Sequence, residues 1–257
     1  MAETDSTNTL VRTLVEELPA GSPPRAVAVA DRQVAGRGRL DRRWESPVGA
    51  TLMMSVAHEV PLDTELLGAL PLAMGLGALE AIDEVTGQAL GLKWPNDLVA
   101  AHPDGTMAKV GGILGESFED RRAGVRAGGG PRSRVAVLGI GINTGWEAMP
   151  PELPEATSLN LLGGAPVDRA ALAEAVLARY RAWWGRVADG DREGFVSALE
   201  ATSVTLGRRV RVELPAATVS GLAEAMTRSG ALVVLDDRGV RTEVTVGDVV
   251  HLRPEPR

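Results

Sequence analysis

Beyond Gly207 the chain loses all helical periodicity. Short apolar runs at Val210–Val212, Leu232–Leu235 and Val244–Val246 are separated by the turn sequences Ser229-Gly230 and Asp237-Arg238-Gly239. Runs of that length between turn residues make a small all-β module. Ahead of it, helical and strand spacings alternate. Asn8 to Leu18 sets Leu10, Val11, Leu14, Val15 and Leu18 on one stripe, with Ser6, Thr7 or Asn8 to cap it and Pro19 to stop it. Ala26–Ala30 reads as a buried strand, Thr51–Ala57 as a second strand-like run, and Glu65–Val85 as a helix that Pro71 kinks or breaks. Short strands follow at Leu92–Trp94, Leu98–Ala101, Val110–Leu114 and Val135–Leu138, with a Gly-rich hairpin tip over 123–134. Asp168 is placed to cap a long helix with Leu172, Val176, Tyr180, Trp183 and Val187 on one face and Gly190 past its end. The chain thus divides into an α/β domain over residues 1–203 and a β module over 204–257. The helical stretch from Asp191 to Thr202 fits either.

Composition limits the chemistry. With 44% hydrophobic and 24% charged residues in 257, the chain is neither disordered nor collagenous. Lys+Arg 27 against Asp+Glu 34 leaves a charge of −7, a surface that repels nucleic acid and anionic lipid, so any anion needs a local cationic cluster. With Cys 0, disulfides, thiolate nucleophiles and Cys-held metals are excluded. His58, His102 and His251 lack metal-ligand spacing and read as structural. The acidic, polar N-terminus is no secretory signal, and no uninterrupted apolar stretch approaches the ~20 residues of a membrane span. The cytoplasm is the expected compartment. No Gly-x-Ser-x-Gly elbow and no P-loop occur.

Four segments carry the chemistry. Gly36-Arg37-Gly38-Arg39-Leu40-Asp41-Arg42-Arg43-Trp44 packs arginines and glycines into an otherwise acidic chain. Arginine forks bind phosphate or carboxylate bidentately, and glycines let backbone N–H groups approach a ligand. A solvated basic loop is the plainer reading. Lys93-Trp94-Pro95-Asn96-Asp97 offers a cation for phosphate, an amide for a base or ribose, and a hard oxygen for Mg²⁺; alone it is also a common turn. Lys109-Val110-Gly111-Gly112-Ile113-Leu114-Gly115-Glu116 puts a lysine beside a close-approach backbone, or is a bulge with a solvated lysine. Gly139-Ile140-Gly141-Ile142-Asn143 follows a strand but lacks the third glycine and the helix of a dinucleotide fingerprint. Asn143 remains a candidate for an adenine edge.

Taken in order, Asp5–Asn8, Gln33 with Gly36–Arg39 and Trp44-x-Ser46-Pro47-x-Gly49, Lys93–Asp97, Lys109–Glu116, Gly139–Asn143 and Ala156–Leu159 resemble the biotin protein ligases, or biotin–[acetyl-CoA-carboxylase] ligases. Gly207, Gly221, Gly230, Leu232, Gly247 and Asp248 look like that family's SH3-like barrel. The resemblance implies an α/β (α+β) fold with a central mixed β-sheet flanked by helices, of the class II synthetase and biotin ligase type. It implies that biotin and MgATP form biotinyl-5′-AMP, and that the acyl group passes to a lysine of a biotin carboxyl carrier protein domain. Ser6, Thr7 and Gln33 are expected at the biotin ureido ring, with Asn8, Gly36, Arg37 and Gly112 lining that site. Arg39 and Arg42 would face carboxylate and phosphates, and Lys109 with Arg39 would be catalytic. Lys93, Trp44, Asn96 and Asn143 fall to the ATP site, Asp97 to Mg²⁺, and Arg253 approaches ATP from the barrel.

Two positions depart from the family pattern: Asp41 replaces a glycine, and Glu224-Ala225-Met226 replaces a Gly-Ile-Asp turn. The ligand motif starting at Ser6 leaves no room ahead of it for a DNA-binding domain, so an enzyme-only form with no nucleic-acid or membrane partner is expected. Exposed sheet edges would suit a weak homodimer. The alternatives are a lipoate–protein ligase and a non-catalytic biotin or nucleotide sensor.

Overall fold

Strand β1 (Glu3–Thr4) and helix α1 (Thr7–Glu17) open the chain, followed by β2 (Ala26–Ala30), β3 (Arg32–Gln33) and β4 (Thr51–Val60). Helix α2 (Glu65–Thr86) leads into β5 (Gly91–Lys93), β6 (Asp97–Ala101), β7 (Met107–Glu119) and β8 (Arg134–Asn143). Helices α3 (Leu159–Gly163), α4 (Arg169–Ala188) and α5 (Arg192–Thr202) precede β9 (Arg209–Glu213), β10 (Thr218–Met226), β11 (Leu232–Leu235), β12 (Arg241–Val244) and β13 (Asp248–His251). This computed structural model describes residues 1–40, 42–60, 65–102, 105–120, 122, 134–214, 217–245 and 247–251. Asp41, the Gly-rich stretch 123–133 and Arg253 lie outside the described residues.

The α/β class holds, with a six-stranded central sheet in the order β2-β4-β8-β7-β6-β5. Where a mixed sheet was expected, all of its pairings among the described residues are antiparallel. Among the described residues parallel pairing is confined to β1 on β3 and to the bridges Leu92↔Ser203 and Lys109↔Ala156. The cause is connection length, since β5, β6, β7 and β8 follow one another without a helical crossover.

The pleat sends alternate residues to opposite faces. On one face Leu52, Met54 and Val56 of β4 and Leu138, Ile140 and Ile142 of β8 pack under α2 and α4 in the main core. On the other, Ala57, Val135 and Val137 meet Val11 and Val15 of α1. Asp168 caps α4 by accepting N–H bonds from Ala170 and Ala171 at 2.9 and 3.1 Å, and the stripe Leu172, Val176, Tyr180, Trp183 and Val187 is buried. Pro71 does not break α2, which runs unbroken from Glu65 to Thr86; its ring fits against Gly115, where a Cβ would stand 2.9 Å away. Leu66–Thr86 is long and apolar enough to cross a membrane by length and composition, yet 72% of that window is buried in the protein. Glu80, Asp83 and Glu84 interrupt it in sequence, and it is the core helix here.

Other expectations shift. Ala26–Ala30 forms the strand, but as a sheet edge with Val27 and Val29 exposed. Ser6 stands at the N-cap of α1 without a capping side-chain bond. β8 extends through Gly139–Asn143, so that segment continues the strand expected to end at Leu138. The C-terminal unit is a five-stranded antiparallel sheet, β12-β11-β10-β9-β13. Neither β10 nor β13 stands out in sequence, because β10 mixes Gly221 and Glu224 into its apolar positions. β12 ends at Val244, where Val244–Val246 was the expected strand. Trp94 ties the two sheets together: its Nε1 donates to Gly230 O at 2.9 Å and its N–H to Thr205 Oγ1 at 3.0 Å.

Candidate active site

The α1 face of the central sheet runs on past the helix, and there its side chains shrink. One row of cross-strand neighbours reads Lys93↔Asp97↔Gly112↔Gly141↔Met53. Partners in such a row point to the same face, so two glycines form a floor between a lysine–aspartate edge and Met53. A Cβ on Gly141 would stand 2.6 Å from the Trp44 ring, and one on Gly112 would stand 3.2 Å from Lys109 Nζ. The indole and the ammonium therefore lie flat on the floor only because those positions are glycine.

A cavity of about 2210 Å³ stands over this floor and collects the sequence-selected residues. Ser6, Thr7, Asn8, Gln33, Arg37, Arg39, Arg42, Trp44, Lys93, Asn96, Asp97, Lys109, Gly112 and Asn143 all line it. Gly36 stands just behind the lining, where a Cβ would collide with the Trp44 carbonyl. His102, expected to be structural, also reaches the cavity.

At one end is a closed polar network. Gln33 Oε1 accepts from the Thr7 N–H at 2.7 Å and from Thr7 Oγ1 at 3.1 Å. Buried Ser55 sets its Oγ 2.6 Å from both Thr7 Oγ1 and Asn8 Oδ1. Asn8 Nδ2 donates to Glu116 Oε2 at 2.7 Å, and Arg37 grips the same carboxylate bidentately at 2.9 and 2.7 Å. The donors and acceptors are thus fixed before a ligand arrives, which is the preorganisation that specific polar recognition requires.

At the other end are the cations. Residues 36–40 and 42–44 form the two sides of a small hairpin closed by Gly38 N–H to Arg42 O at 2.7 Å and Trp44 N–H to Gly36 O at 3.0 Å. Leu40 takes the left-handed turn conformation with φ 53°. Arg39 donates to Asn96 Oδ1 and to Gly247 O, both at 3.1 Å, and lies 3.8 Å from Asp248. Arg42 pairs with Asp248. Burial pushes the Arg39 pKa down, against the upward pull of Asp248 and Asp97. Lys109 Nζ sits 2.6 Å from Asp97 Oδ1 and 5.7 Å from the centre of the Trp44 ring. The Lys93 side chain, on β5 opposite Asp97, has no ion pair or hydrogen bond among the described residues. Asn96 and Asn143 are already engaged: Asn96 Nδ2 donates to Ile113 O at 2.9 Å, and Asn143 Nδ2 to Thr157 O at 3.0 Å.

Such a cleft pairs a preorganised neutral polar end with a cationic end, and so fits an uncharged ring joined to an anionic tail. The Biotin/lipoate A/B protein ligase family model matches residues 1–125, and the Biotin protein ligase C terminal domain model matches residues 205–252. The biotin–[acetyl-CoA-carboxylase] ligase of Mycobacterium tuberculosis is 34% identical across 98% of this chain and 88% of its own length. The chain belongs to the biotin protein ligase family. The bifunctional ligase/repressor BirA of Bacillus subtilis is 28% identical over 86% of this chain, which spans 64% of that protein's length. The solved structure of the Aquifex aeolicus biotin protein ligase in complex with biotin and ATP superposes with a TM-score of 0.77 at 28% identity, covering 99% of this chain and 97% of that one.

For a biotin protein ligase, the sequence-level site omits three side chains that the fold supplies: Ser55, Glu116 and Asp248. Glu116 lies inside a motif singled out for its lysine and glycines, and Asp248 was noted only as part of the barrel. A metal was expected at Asp97. Among the described residues no group of three or more His, Asp or Glu could hold one, and Asp97 Oδ1 is engaged by Lys109. That donor set fits a Mg²⁺ that arrives on nucleotide phosphates and takes one protein carboxylate, not a caged ion.

Proposed function

We propose that this chain is an ATP-dependent biotin protein ligase that modifies a biotin carboxyl carrier protein domain. The observation that carries the reading is Lys109 Nζ, held by Asp97 over a glycine floor at the cationic end of a cleft whose other end is neutral and polar.

In the first step a biotin carboxylate oxygen attacks the α-phosphorus of ATP; the new O–P bond forms as the bond to pyrophosphate breaks. Two anions must meet, so the barrier is lowered mainly by positioning and charge neutralisation. Thr7, Asn8 and Gln33 hold the ureido ring. Lys109 neutralises the biotin carboxylate and the α-phosphate together, while Asp97 fixes where that ammonium stands. Arg39, Arg42 and Lys93 face the phosphates, and Trp44 packs on the glycine floor beneath the hairpin. Asp97 is the carboxylate that would hold a Mg²⁺ arriving on the phosphates, which would supply further neutralisation. In the second step the carrier lysine amine attacks the acyl carbon, the C–O bond to AMP breaks, AMP leaves with the electron pair, and the amine loses a proton to solvent.

Pyrophosphate release from MgATP should require biotin and not respond to lipoate. An added carrier domain should then gain one biotin mass on one lysine. Release with lipoate alone would reassign the chain, and silence with both would make it a non-catalytic binding module.

A further inference from the structure

Three of the cleft's cations are each matched to a carboxylate of the protein: Arg37 to Glu116, Lys109 to Asp97, and Arg42 to Asp248. Glu116 and Asp97 lie on the central sheet, and Glu116 already anchors the Arg37 end of the hairpin. Asp248 is not on that sheet. It starts β13 of the C-terminal sheet, opposite Glu213 of β9, and reaches a hairpin 206 residues earlier in the chain. The residue before it takes part too, since Gly247 O accepts from Arg39 Nη2 at 3.1 Å. That carbonyl can be presented only by glycine: φ is +139°, and a Cβ would stand 2.7 Å from Val212 Cγ1.

A carboxylate and a carbonyl on adjacent residues therefore offer oxygens to two guanidinium groups, much as a phosphate group does. We infer that Gly247 and Asp248 are an internal counter-anion that holds the 36–44 hairpin in the free protein and yields Arg39 and Arg42 to a phosphate-bearing ligand. The inference rests on the ligase reading for what the ligand is, not for the contact itself. Charge decides the direction of exchange. Two arginines face one carboxylate, so one positive charge is left over, and a polyanionic phosphate matches the pair better than Asp248 does. Once phosphate has taken the arginines it orders the hairpin itself. Loss of Asp248 then loosens the free protein without weakening the complex. Asp248 is on this account a positioning residue that acts through the two arginines.

The hairpin carries its own reporter, because Arg37, Arg39, Arg42 and Arg43 are trypsin sites. Without ligand, Asp248→Asn should be cut within residues 37–43 about three- to fivefold faster than wild type, the range expected for a partly exposed ion pair. Salt at ~0.5 M should bring wild type close to the variant by screening the pair. Asp248→Glu should restore slow cleavage. Inorganic pyrophosphate should slow cleavage in both proteins, and at lower concentration in Asp248→Asn. Equal hairpin cleavage in wild type and variant, indifference to salt, or a higher pyrophosphate requirement in the variant would overturn the inference. So would faster cleavage throughout the variant, which would make Asp248 a residue of the fold alone. None of these readings depends on biotin turnover, so a failure of the ligase assay is recognised separately.

Discussion

Lys109 Nζ and Asp97 Oδ1 stand 2.6 Å apart across β6 and β7, on a floor where Gly112 leaves room for the lysine stem. The pair fixes an ammonium where two anions have to meet. Lys109→Ala should leave the unfolding midpoint nearly unchanged, because the side chain is about one-third exposed (36%) and the pair is no part of the core. Biotin-dependent pyrophosphate release should fall by about 100- to 1000-fold, the usual cost of removing one preorganised stabilising donor. Release at the wild-type rate would remove Lys109 from the chemistry.

Gly141 tests the floor itself. An added methyl group would stand 2.6 Å from the Trp44 ring, inside any real contact distance. Gly141→Ala should displace the indole and the hairpin it anchors, at about 1–3 kcal/mol for an overpacked contact. The expected result is a raised KM for biotin and ATP with a small change in melting temperature. Unchanged KM values would mean that the indole is not part of the binding surface.

Glu116 tests the polar end. Its carboxylate holds Arg37 through two hydrogen bonds and Asn8 through one. Glu116→Ala frees both partners, and Asn8 then loses the bond that aims its Oδ1 at Ser55 Oγ. Hydrogen bonds to charged groups are worth about 1.5–3 kcal/mol, of which exposure at this site retains the lower part. The KM for biotin should rise roughly tenfold with a smaller change in kcat. A fall in kcat alone would place Glu116 in the chemical step instead.

How far these features could be read from sequence depends on the distance over which each is specified. Helix α4 is legible because its cap and stripe lie within one run, from Asp168 to Val187. The arginine hairpin is legible because Arg and Gly crowd a few adjacent positions. Its partners are not: Glu116 is 79 residues from Arg37, and Asp248 is 206 residues from Arg42. No local pattern records such a pairing. The antiparallel sheet was missed for a related reason, since register and direction follow from connections, while apolar runs show only that strands exist. From sequence the strand is expected to end at Leu138, with Gly139 and Gly141 after it. Here they are strand residues whose missing side chains make the floor.

His58 gives a pH test of the core that is independent of the active site. Its Nε2 lies 2.6 Å from Tyr180 Oη and its Nδ1 2.9 Å from Glu59 O. A neutral ring satisfies both contacts, with Nδ1–H donating and Nε2 accepting from the phenol. Burial lowers the His58 pKa from its ordinary 6.5, with a smaller downward push from Arg25, and burial also raises that of Tyr180. Above 6.5 the ring is neutral in both folded and unfolded chains, and its contribution to stability is fully present. As pH falls through 6.5 towards the lower folded value, the unfolded chain takes up a proton that the folded chain refuses. Stability from this site should then fall by at most about 1.4 kcal/mol per pH unit. Urea unfolding of wild type and His58→Gln between pH 7.5 and 5.5 isolates it. The wild-type advantage should shrink steadily as pH drops, because glutamine can still accept from Tyr180 but does not titrate. Parallel pH profiles for the two proteins would show that His58 takes up its proton as readily folded as unfolded.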